Sequence, residues 1–174
     1  MTLRLCILGS ESVRLYALLH EKAVICSFRS LLFATEADLI RVNALQKQVN
    51  DLHVDGRPDI FTPGFSDELR DHVYTIFATP DQKIVVCEKD GVLTGVAVLN
   101  HIIRPETPYM RVRDDLDIDE FCVVEAHCRS GIGTELMTFI RSYAKEKGFA
   151  KAELNMGEFN EDALRFYESV GFST

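Results

Sequence analysis

The chain has 174 residues and a net charge of −8, with 47% hydrophobic and 26% charged residues. This length fits one domain with a sizeable core, the composition is that of a globular protein, and no apolar run is long enough to span a bilayer. The negative charge disfavours nucleic acid as a partner and favours a cationic substrate, although acidity for solubility explains it equally well.

The cysteines indicate a reducing compartment. The five of them form no Cys-x-x-Cys pair, and three lie in strand-like apolar runs. Reduced and mostly buried thiols are the simplest interpretation, so we expect a cytoplasmic protein. No cluster of His and Cys residues has the spacing of a zinc site, and we expect no metal.

The N-terminal residues have the least regular pattern. Leu3 and Leu5 alternate with other residues as in a strand, and residues 10–22 fit a short helix with a serine cap. No cleavage site follows the hydrophobic residues, so a secretory signal is not expected. We therefore treat residues 1–25 as an N-terminal extension of unclear structure, and residues 26–174 as the main domain.

The main domain begins with one strand and two helices. A strand at 28–33 precedes a long helix, which starts after a capping box at Thr35 and ends at the turn formed by residues 55–58. Ser66 opens the second helix. Its residues at helical spacing that we expect to face the core are Leu69, Val73 and Phe77.

The rest of the domain alternates between strands and helices. Asp90 and Gly91 form a hairpin turn signal between two strands, and Gly148 is a plausible helix cap. The predicted elements are strands at 84–88, 92–103 and 118–124, a helix ending near residue 147, a strand at 150–156 and a helix at 160–170. This order predicts a mixed α/β sandwich.

The most informative stretch joins the strand at 118–124 to the helix after it. Its residues are Cys128, Arg129, Ser130, Gly131, Ile132, Gly133 and Thr134. Glycines at a helix start let a bulky anion approach the free N–H groups at the positive end of the helix dipole. That suits a phosphate or pyrophosphate, although a tight turn explains the glycines alone equally well. Leu136 replaces the third glycine of the dinucleotide fingerprint, and the Gly-Lys-Ser/Thr of nucleoside triphosphatases is absent from the sequence.

A second stretch downstream makes the phosphate interpretation more specific. Its motif residues are Asn160, Ala163, Phe166, Tyr167, Gly171 and Phe172. Together the two stretches resemble the GNAT family of acetyl-CoA-dependent N-acetyltransferases. That family has a Gln/Arg-x-x-Gly-x-Gly/Ala loop for the pyrophosphate, followed by an Asn-x-x-Ala-x-x-Phe-Tyr-x-x-x-Gly-Phe helix. Cys128 stands where the family has Gln or Arg, with Arg129 one place later.

The resemblance covers about residues 26–172 and implies a GNAT-like acyl-CoA N-acyltransferase fold. In that fold the central sheet splays between its fourth and fifth strands, and the pantetheine of the cofactor enters the gap. Family members continue with a further strand after the Gly-Phe pair, whereas this chain stops at Thr174. We therefore expect the C-terminal edge strand to be missing, because the chain is truncated or because a partner supplies that edge. A homodimer is among the expected partners.

The resemblance also implies which residues contact acetyl-CoA. Tyr167 would protonate the coenzyme A sulfur, although an aromatic core anchor is the alternative. Asn160 would hydrogen-bond the pantetheine and cap the last helix. The backbone of Val123 and Val124 would pair with the pantetheine like a missing strand. The implied cofactor-binding residues are Val123, Val124, Arg129, Ser130, Gly131, Ile132, Gly133, Thr134, Asn160, Phe166 and Tyr167.

The candidate base lies on the strand before the loop. Residues 119–123 resemble the Glu-Asp-Phe-Phe-Val of diamine acetyltransferases within the family, which puts Asp119 in the base position and Glu120 beside it. Strand alternation would send the two side chains to opposite faces, so at most one points at the acceptor. We expect Asp119 to take the proton of the amine through a water. The alternative is that both are half-exposed strand carboxylates.

The expected function follows from this resemblance. It is an N-acetyltransferase that moves an acetyl group from acetyl-CoA to a primary amine of a small molecule or peptide. An acyl-CoA-binding protein without efficient turnover is the alternative, motivated by Cys128 and the missing edge strand. Neither nucleic acid nor a membrane is an expected partner. Four loop residues flank the acceptor site in the family or are simply solvated, namely His53, Arg57, Asp59 and Phe61.

Overall fold

The computed structural model describes residues 2–6 and 29–173. Within these residues the chain forms six strands and four α-helices. The strands are β1 (Thr2–Cys6), β2 (Arg29–Phe33), β3 (Gln82–Lys89), β4 (Val92–Arg104), β5 (Arg113–Val123) and β6 (Lys151–Asn155). The helices are α1 (Leu39–Gly56), α2 (Asp67–Ala78), α3 (Ile132–Lys147) and α4 (Glu161–Ser169).

The mixed α/β fold is confirmed, and each strand and helix predicted from residue 28 onward is present. The largest change in bounds is in β5, which begins at Arg113 rather than near residue 118. The short helix predicted at 10–22 and the boundary placed after residue 25 lie outside the described residues, so both remain predictions.

Local side-chain and backbone signals explain where the elements start and stop. Ser66 caps α2 by accepting a hydrogen bond from the backbone N–H of Leu69, at 3.3 Å. Asp90 and Gly91 join β3 to β4 with φ angles of 52° and 79°, as a tight hairpin turn requires. Gly148 ends α3 in the left-handed region with φ of 76°. These predictions from local sequence are confirmed.

The six strands form one sheet in the order β1-β6-β5-β4-β3-β2. All neighbours are antiparallel except β5 and β6, which are parallel and joined through α3. The strand predicted around Leu3 is confirmed, and it pairs with β6 in a register that sets Leu3 opposite Leu154. The edge beside β6, for which we expected a missing strand, is therefore covered by N-terminal residues of the same chain.

Helices cover both faces of the sheet. On one face α3 and α4 pack over a core that contains Leu116 and Ile118 of β5. On the other face α1 and α2 pack over a second core that contains Val96 and Val98 of β4. These two faces are called the α3/α4 face and the α1/α2 face below.

The inward side of α2 differs from the prediction. Val73 and Ile76 are fully buried, whereas Leu69 and Phe77 are 39% and 41% exposed. Residues at i, i+4 and i+8 drift around a helix because four residues exceed one turn of 3.6. A helix that meets the sheet along a narrow line buries only one such residue and its i+3 neighbour.

Two irregularities in β5 shape the centre of the sheet. Pairing between β5 and β6 runs only from Asp115 opposite Lys151 to Ile118 opposite Leu154, whereas β5 continues to Val123. The sheet therefore opens between these two strands. At the same point a register shift against β4 leaves Asp119 as an extra residue, a β-bulge that bends the strand.

Candidate active site

The loop before α3 presents free backbone N–H groups. Gly131 is the N-cap of α3, with φ of 88°, and no side chain caps the helix. Arg129 is also in the left-handed region, with φ of 61°, which costs a residue with a side chain about 1–2 kcal/mol. An uncapped helix N-terminus beside a strained cationic residue is a suitable site for an anion.

The side chains of this loop contribute less than its backbone. Ile132 is 1% exposed and belongs to the core, so only its N–H can meet a ligand. The hydroxyl of Ser130 donates to the carbonyl of His127 at 2.6 Å. A Cβ on Gly133 would lie 3.1 Å from the Phe166 ring, so a larger residue there would fit only if that ring shifts by a few tenths of an ångström. Thr134 is exposed on the first turn of α3.

The end of β5 already uses most of its backbone hydrogen-bonding groups. The carbonyl of Val123 accepts from Nε2 of Gln48 at 3.0 Å. The N–H of Val124 donates to the carbonyl of Thr94 at 2.9 Å, and its carbonyl accepts from the N–H of His127 at 2.8 Å. A strand-like pairing of the pantetheine with these residues would therefore rely on Val123 and on second lone pairs of the carbonyls.

Tyr167 lies in an aromatic cluster on the α3/α4 face of the sheet. Its ring centroid is 5.9 Å from that of Phe121, 5.4 Å from that of Phe166 and 5.9 Å from that of Phe172. Burial raises the pKa of the phenol well above its ordinary value, and Cys122 adds to this. The hydroxyl therefore keeps its proton at neutral pH, as a proton donor must. The same packing fits a core anchor, so both hypotheses for Tyr167 stand.

Asn160 has the capping role that the sequence predicted. Its side-chain oxygen accepts from the N–H of Ala163 at 3.0 Å and fixes the start of α4. The amide nitrogen of Asn160 remains the group that can donate to a pantetheine carbonyl. Asn160 therefore fixes the start of α4, the helix that carries Tyr167, and it is also one of the residues expected to contact the cofactor.

Glu120 has the surroundings of a general base. The register places it opposite Val98, on the α1/α2 face, where Nε2 of Gln46 lies 3.2 Å from each carboxylate oxygen. Burial raises the pKa of Glu120, and the nearby Asp119 adds to this, while Gln46 and His72 act in the opposite direction. A carboxylate whose pKa moves towards neutrality is better matched to proton abstraction.

Asp119 is the bulge residue, and it is exposed. The preference for Asp119 as the base assumed regular alternation along β5. The bulge removes that regularity, because one residue of β4 faces two of β5. Local sequence could not locate the bulge, which depends on pairing with a strand about twenty residues earlier.

Asp117 is a candidate that the sequence-based site did not include. It lies on the same face as Glu120 and accepts from Nδ2 of Asn100 at 3.3 Å. Burial raises its pKa, with smaller contributions from the charges of Asp119 and Glu153. The available signal was the three acidic residues within the four positions 117–120 of β5.

The four residues predicted to lie in the loop between α1 and α2 form two groups, and His53 is in the last turn of α1 rather than in the loop. The rings of His53 and Phe61 stack at 4.8 Å, and His53 meets Phe159, at the start of α4, edge-on at 6.0 Å. Burial lowers the pKa of His53. Arg57 and Asp59 instead bond to each other through two contacts of 2.8 Å on the surface. The aromatic group joins the end of α1 to the residues before α4, whereas the ion pair lies within the loop itself.

Three further observations bear on cofactors and compartment. Among the residues described by the structure, no group of three His, Cys, Asp or Glu is placed to hold a metal ion. No helix in the same residues is long and apolar enough to cross a membrane. Cys87 and Cys122 are buried and Cys128 is exposed, and burial raises the pKa of Cys122 to about 12.

The chain is similar in sequence and in structure to several known proteins. The chain is 23% identical over 169 residues to the L-ornithine N5-acetyltransferase NATA1 of Arabidopsis thaliana, covering 90% of this chain and 73% of the relative. A tetramutant of the BH1408 protein from Bacillus halodurans has a similar structure, with a TM-score of 0.79 and 28% identity over 83% of this chain and 94% of the other.

A second similar structure contains coenzyme A. The aminoglycoside N-acetyltransferase AAC(6')-Iy, solved in complex with CoA, has a TM-score of 0.67 and 16% identity over 85% of this chain and 90% of its own. At this identity the likeness shows the fold alone. The model of the acetyltransferase (GNAT) family matches residues 47–172, which include the opening in the sheet, the α3 loop and α4. The chain therefore belongs to the GNAT family of acetyltransferases.

Proposed function

We propose that this protein transfers an acetyl group from acetyl-CoA to a primary amine of a small molecule. One observation carries the proposal, namely the opening between β5 and β6 with a buried phenol on one face and a partly buried carboxylate on the other. The two groups are those that aminolysis of a thioester requires, one to accept a proton and one to donate it.

The loop before α3 fits the anionic part of acetyl-CoA. Free N–H groups at the α3 N-terminus, and the guanidinium of Arg129, would hold the pyrophosphate. Bound acetyl-CoA supplies the activated acyl group and the thiolate leaving group. Cys128 replaces the family's Gln or Arg, so Arg129 is the side chain in this loop on which the phosphate contact depends.

The proposed reaction assigns one proton transfer to each face. On the α1/α2 face Glu120 takes a proton from the amine, whose nitrogen forms the new bond to the acetyl carbon. On the α3/α4 face Tyr167 gives its proton to the departing sulfur as the carbon–sulfur bond breaks. The products are the acetamide and coenzyme A, and the proton on Glu120 returns to Tyr167 through solvent. An amine that enters as an ammonium ion first releases its additional proton to solvent, so that the nitrogen has a lone pair for the attack.

The charges on the α1/α2 face favour a cationic acceptor. Glu120 and Asp117 are both partly buried, and in the described residues no Lys or Arg lies within ion-pair distance of either. An amine that enters as an ammonium ion would compensate this charge. The curated relative from Arabidopsis thaliana acts on ornithine, which supports a small-molecule amine rather than a peptide.

A protein that binds acyl-CoA without efficient turnover is the second candidate. Two observations favour it, the absence of the usual Gln or Arg at Cys128 and the full backbone pairing of Val124. Either would weaken positioning of the thioester without preventing cofactor binding.

The release of free coenzyme A over an amine panel tests the proposal. The panel consists of ornithine, putrescine, spermidine, neamine and a short peptide with a free amino terminus. We expect turnover with at least one of the small amines and little with the peptide. Tight binding of acetyl-CoA by calorimetry, without coenzyme A release for any amine, would instead support the binding protein.

Replacing Tyr167 by Phe tests the proton donor. We expect kcat to fall by roughly 10²-fold or more, because the hydroxyl is needed in the transition state, while acetyl-CoA affinity stays constant. Tyr143→Phe is the matched control, because its phenol is also partly buried with a raised pKa but lies near the end of α3. Full turnover of Tyr167→Phe with a lowered melting temperature would assign Tyr167 to the core instead.

A further inference from the structure

Gln46 is a polar residue that α1 buries almost completely. It is 7% exposed, and it lies among the apolar residues through which α1 meets the sheet. Burying an amide without hydrogen bonds costs roughly 1–3 kcal/mol, so both ends of this side chain are expected to have partners.

Only one end of the Gln46 amide has a partner within the described residues. Nε2 donates to the Glu120 carboxylate, 3.2 Å from each oxygen. Oε1 is buried and has no hydrogen-bond partner. The reverse orientation of the amide would set Oε1 against the carboxylate, with two acceptors facing each other. The neighbours of Gln46 therefore fix which atom is free.

One turn earlier on α1, Asn43 shows the same arrangement. Its Nδ2 donates to the backbone carbonyl of Arg70 in α2 at 3.2 Å, and its buried Oδ1 has no partner among the described residues. Residues three apart lie on the same side of a helix. This side of α1 therefore carries two acceptor oxygens without a partner in the described residues, Oδ1 of Asn43 and Oε1 of Gln46. Gln46 also contacts the Glu120 carboxylate of β5.

A donor with positive charge would complement this group of acceptors. The other charged groups that act on Glu120 are Asp119, which repels an anion, and His72. A water molecule brings two donors but also two acceptors. A protonated amine brings up to three N–H donors, a positive charge and no acceptor, which complements a carboxylate and free amide oxygens.

We propose that Gln46 binds the acceptor, with Nε2 holding the Glu120 carboxylate and Oε1 accepting an N–H from the amine that is acetylated. This inference rests on the proposed acetyltransferase function and adds a residue to the acceptor site. The amine nitrogen then has two fixed partners on the α1/α2 face, the Glu120 carboxylate and Oε1 of Gln46. An ammonium nitrogen has no lone pair, so it attacks the acetyl carbon only after it has lost a proton.

Two substitutions separate the roles of the two amide atoms. Gln46→Met and Gln46→Glu both remove the Nε2 donor to Glu120, but only Gln46→Met removes the Oε1 acceptor. Kinetics are measured with the panel amine that gives the highest turnover, at a pH above the acid limb of each variant's rate profile. Lys47→Met is the control, because Lys47 is the exposed neighbour on the same helix.

We expect Gln46→Met to raise KM for the amine by about 10- to 100-fold, the range for losing a hydrogen bond to a charged group. KM for acetyl-CoA should not change, and Gln46→Glu should keep an amine KM near that of the wild type. Both variants should move the acid limb to higher pH, because both lose the donor that lowers the pKa of Glu120.

The remaining outcomes overturn the inference or the function beneath it. An equal rise in amine KM in both variants would show that the loss of Nε2 causes the effect. No rise in either variant would show that Oε1 does not bind the amine. If Gln46→Met does not fold, Gln46→Asn, which withdraws the amide by one methylene, replaces it in the comparison with Gln46→Glu. If the wild type releases no coenzyme A with any amine, the proposed function itself is overturned. If the wild type is active and the Gln46 variants do not behave as expected, only the inference about Gln46 is overturned.

Discussion

The two ends of β5 carry buried carboxylates with opposite surroundings. At its start, Asp115 is fully buried, and one of its oxygens lies 3.3 Å from Arg104, 3.2 Å from Arg113 and 3.7 Å from Lys151. Near its other end, the Glu120 carboxylate accepts hydrogen bonds from the neutral amide of Gln46 and from no other side chain in the part of the chain that the structure describes. Both residues project from the α1/α2 face of the same strand.

The difference indicates which carboxylates belong to the fold and which to the chemistry. Three cations compensate Asp115, and they also lower the pKa of the adjacent Glu153 through Lys151 and Arg104. Glu120 gains no such compensation, and its burial costs stability. A buried charge without a partner persists in a protein when function requires it, so the contrast supports Glu120 as part of the active site.

Replacing Glu120 by Gln should have the largest effect. We expect kcat/KM at neutral pH to fall by about 10²- to 10⁴-fold, with partial recovery as pH rises and the amine deprotonates by itself. The variant should also melt at a higher temperature, because a neutral amide replaces an uncompensated carboxylate. Steady-state kinetics and thermal melts check both. Asp119→Asn is the matched variant, and a greater loss of rate there would return the base to Asp119.

Replacing Asp115 by Asn should affect stability and leave catalysis unchanged. Removing one partner of a fully buried ion pair costs about 3–5 kcal/mol. The cations around Asp115 are partly exposed and can turn towards water, so we expect a smaller loss of about 1–3 kcal/mol. Urea unfolding gives the free energy of unfolding, and kcat/KM per folded molecule should equal that of the wild type. A loss of kcat/KM would show that Asp115 also contributes to catalysis and that the active site includes the start of β5.

The dependence of stability on pH should separate the two ends further. Burial raises the pKa of Glu120 in the folded state, so the folded protein binds more protons than the unfolded chain between the ordinary value of 4.5 and the raised one. The stability of the wild type should therefore fall as pH rises through that window. Glu120→Gln should match the wild type below the window and exceed it above.

Glu153 should show the opposite dependence. Lys151 and Arg104 lower its pKa in the folded state, so its contribution to stability is present above the ordinary value of 4.5 and is lost as pH falls. Thermal melts of the wild type, Glu120→Gln and Glu153→Gln across pH 3 to 8 provide the comparison. Parallel curves for the wild type and Glu120→Gln would contradict the raised pKa.

The cofactor side of the protein was far easier to predict from sequence than the acceptor side. Gly131 in the left-handed region and Asn160 at its cap act through neighbours a few residues away, so their spacing alone carries the signal. Gln46 and Glu120 are 74 positions apart, and nothing in either local sequence indicates that they meet. The position of the bulge at Asp119 likewise depends on long-range pairing, between β4 and β5.

The edge strand β1 and the helix α2 show the same limit of local sequence. Alternation at Leu3 predicted a strand, but alternation does not name the partner strand, so the pairing of β1 with β6 was not foreseen. The inward residues of α2 were predicted from spacing alone, and the prediction was wrong for Leu69 and Phe77 because the width of the contact depends on the sheet beneath. Periodicity therefore predicts which elements form, whereas their contacts follow from the assembled fold.

The smallest expected effect concerns Asp117, which lies between the two ends of β5. Asn100 bonds its carboxylate, and burial raises its pKa, although less of the residue is buried than of Glu120. We expect Asp117→Asn to raise the melting temperature slightly and to change kcat/KM only a few-fold, because Asp117 adds negative potential near the amine without taking its proton. The change should appear in KM for the amine rather than in kcat, and it should shrink at high salt, which screens a charge that acts at a distance. Asn100→Ala is the control, because it removes the hydrogen bond and keeps the charge. A loss in kcat as large as that of Glu120→Gln would make Asp117 the base and move the functional end of β5 by three residues.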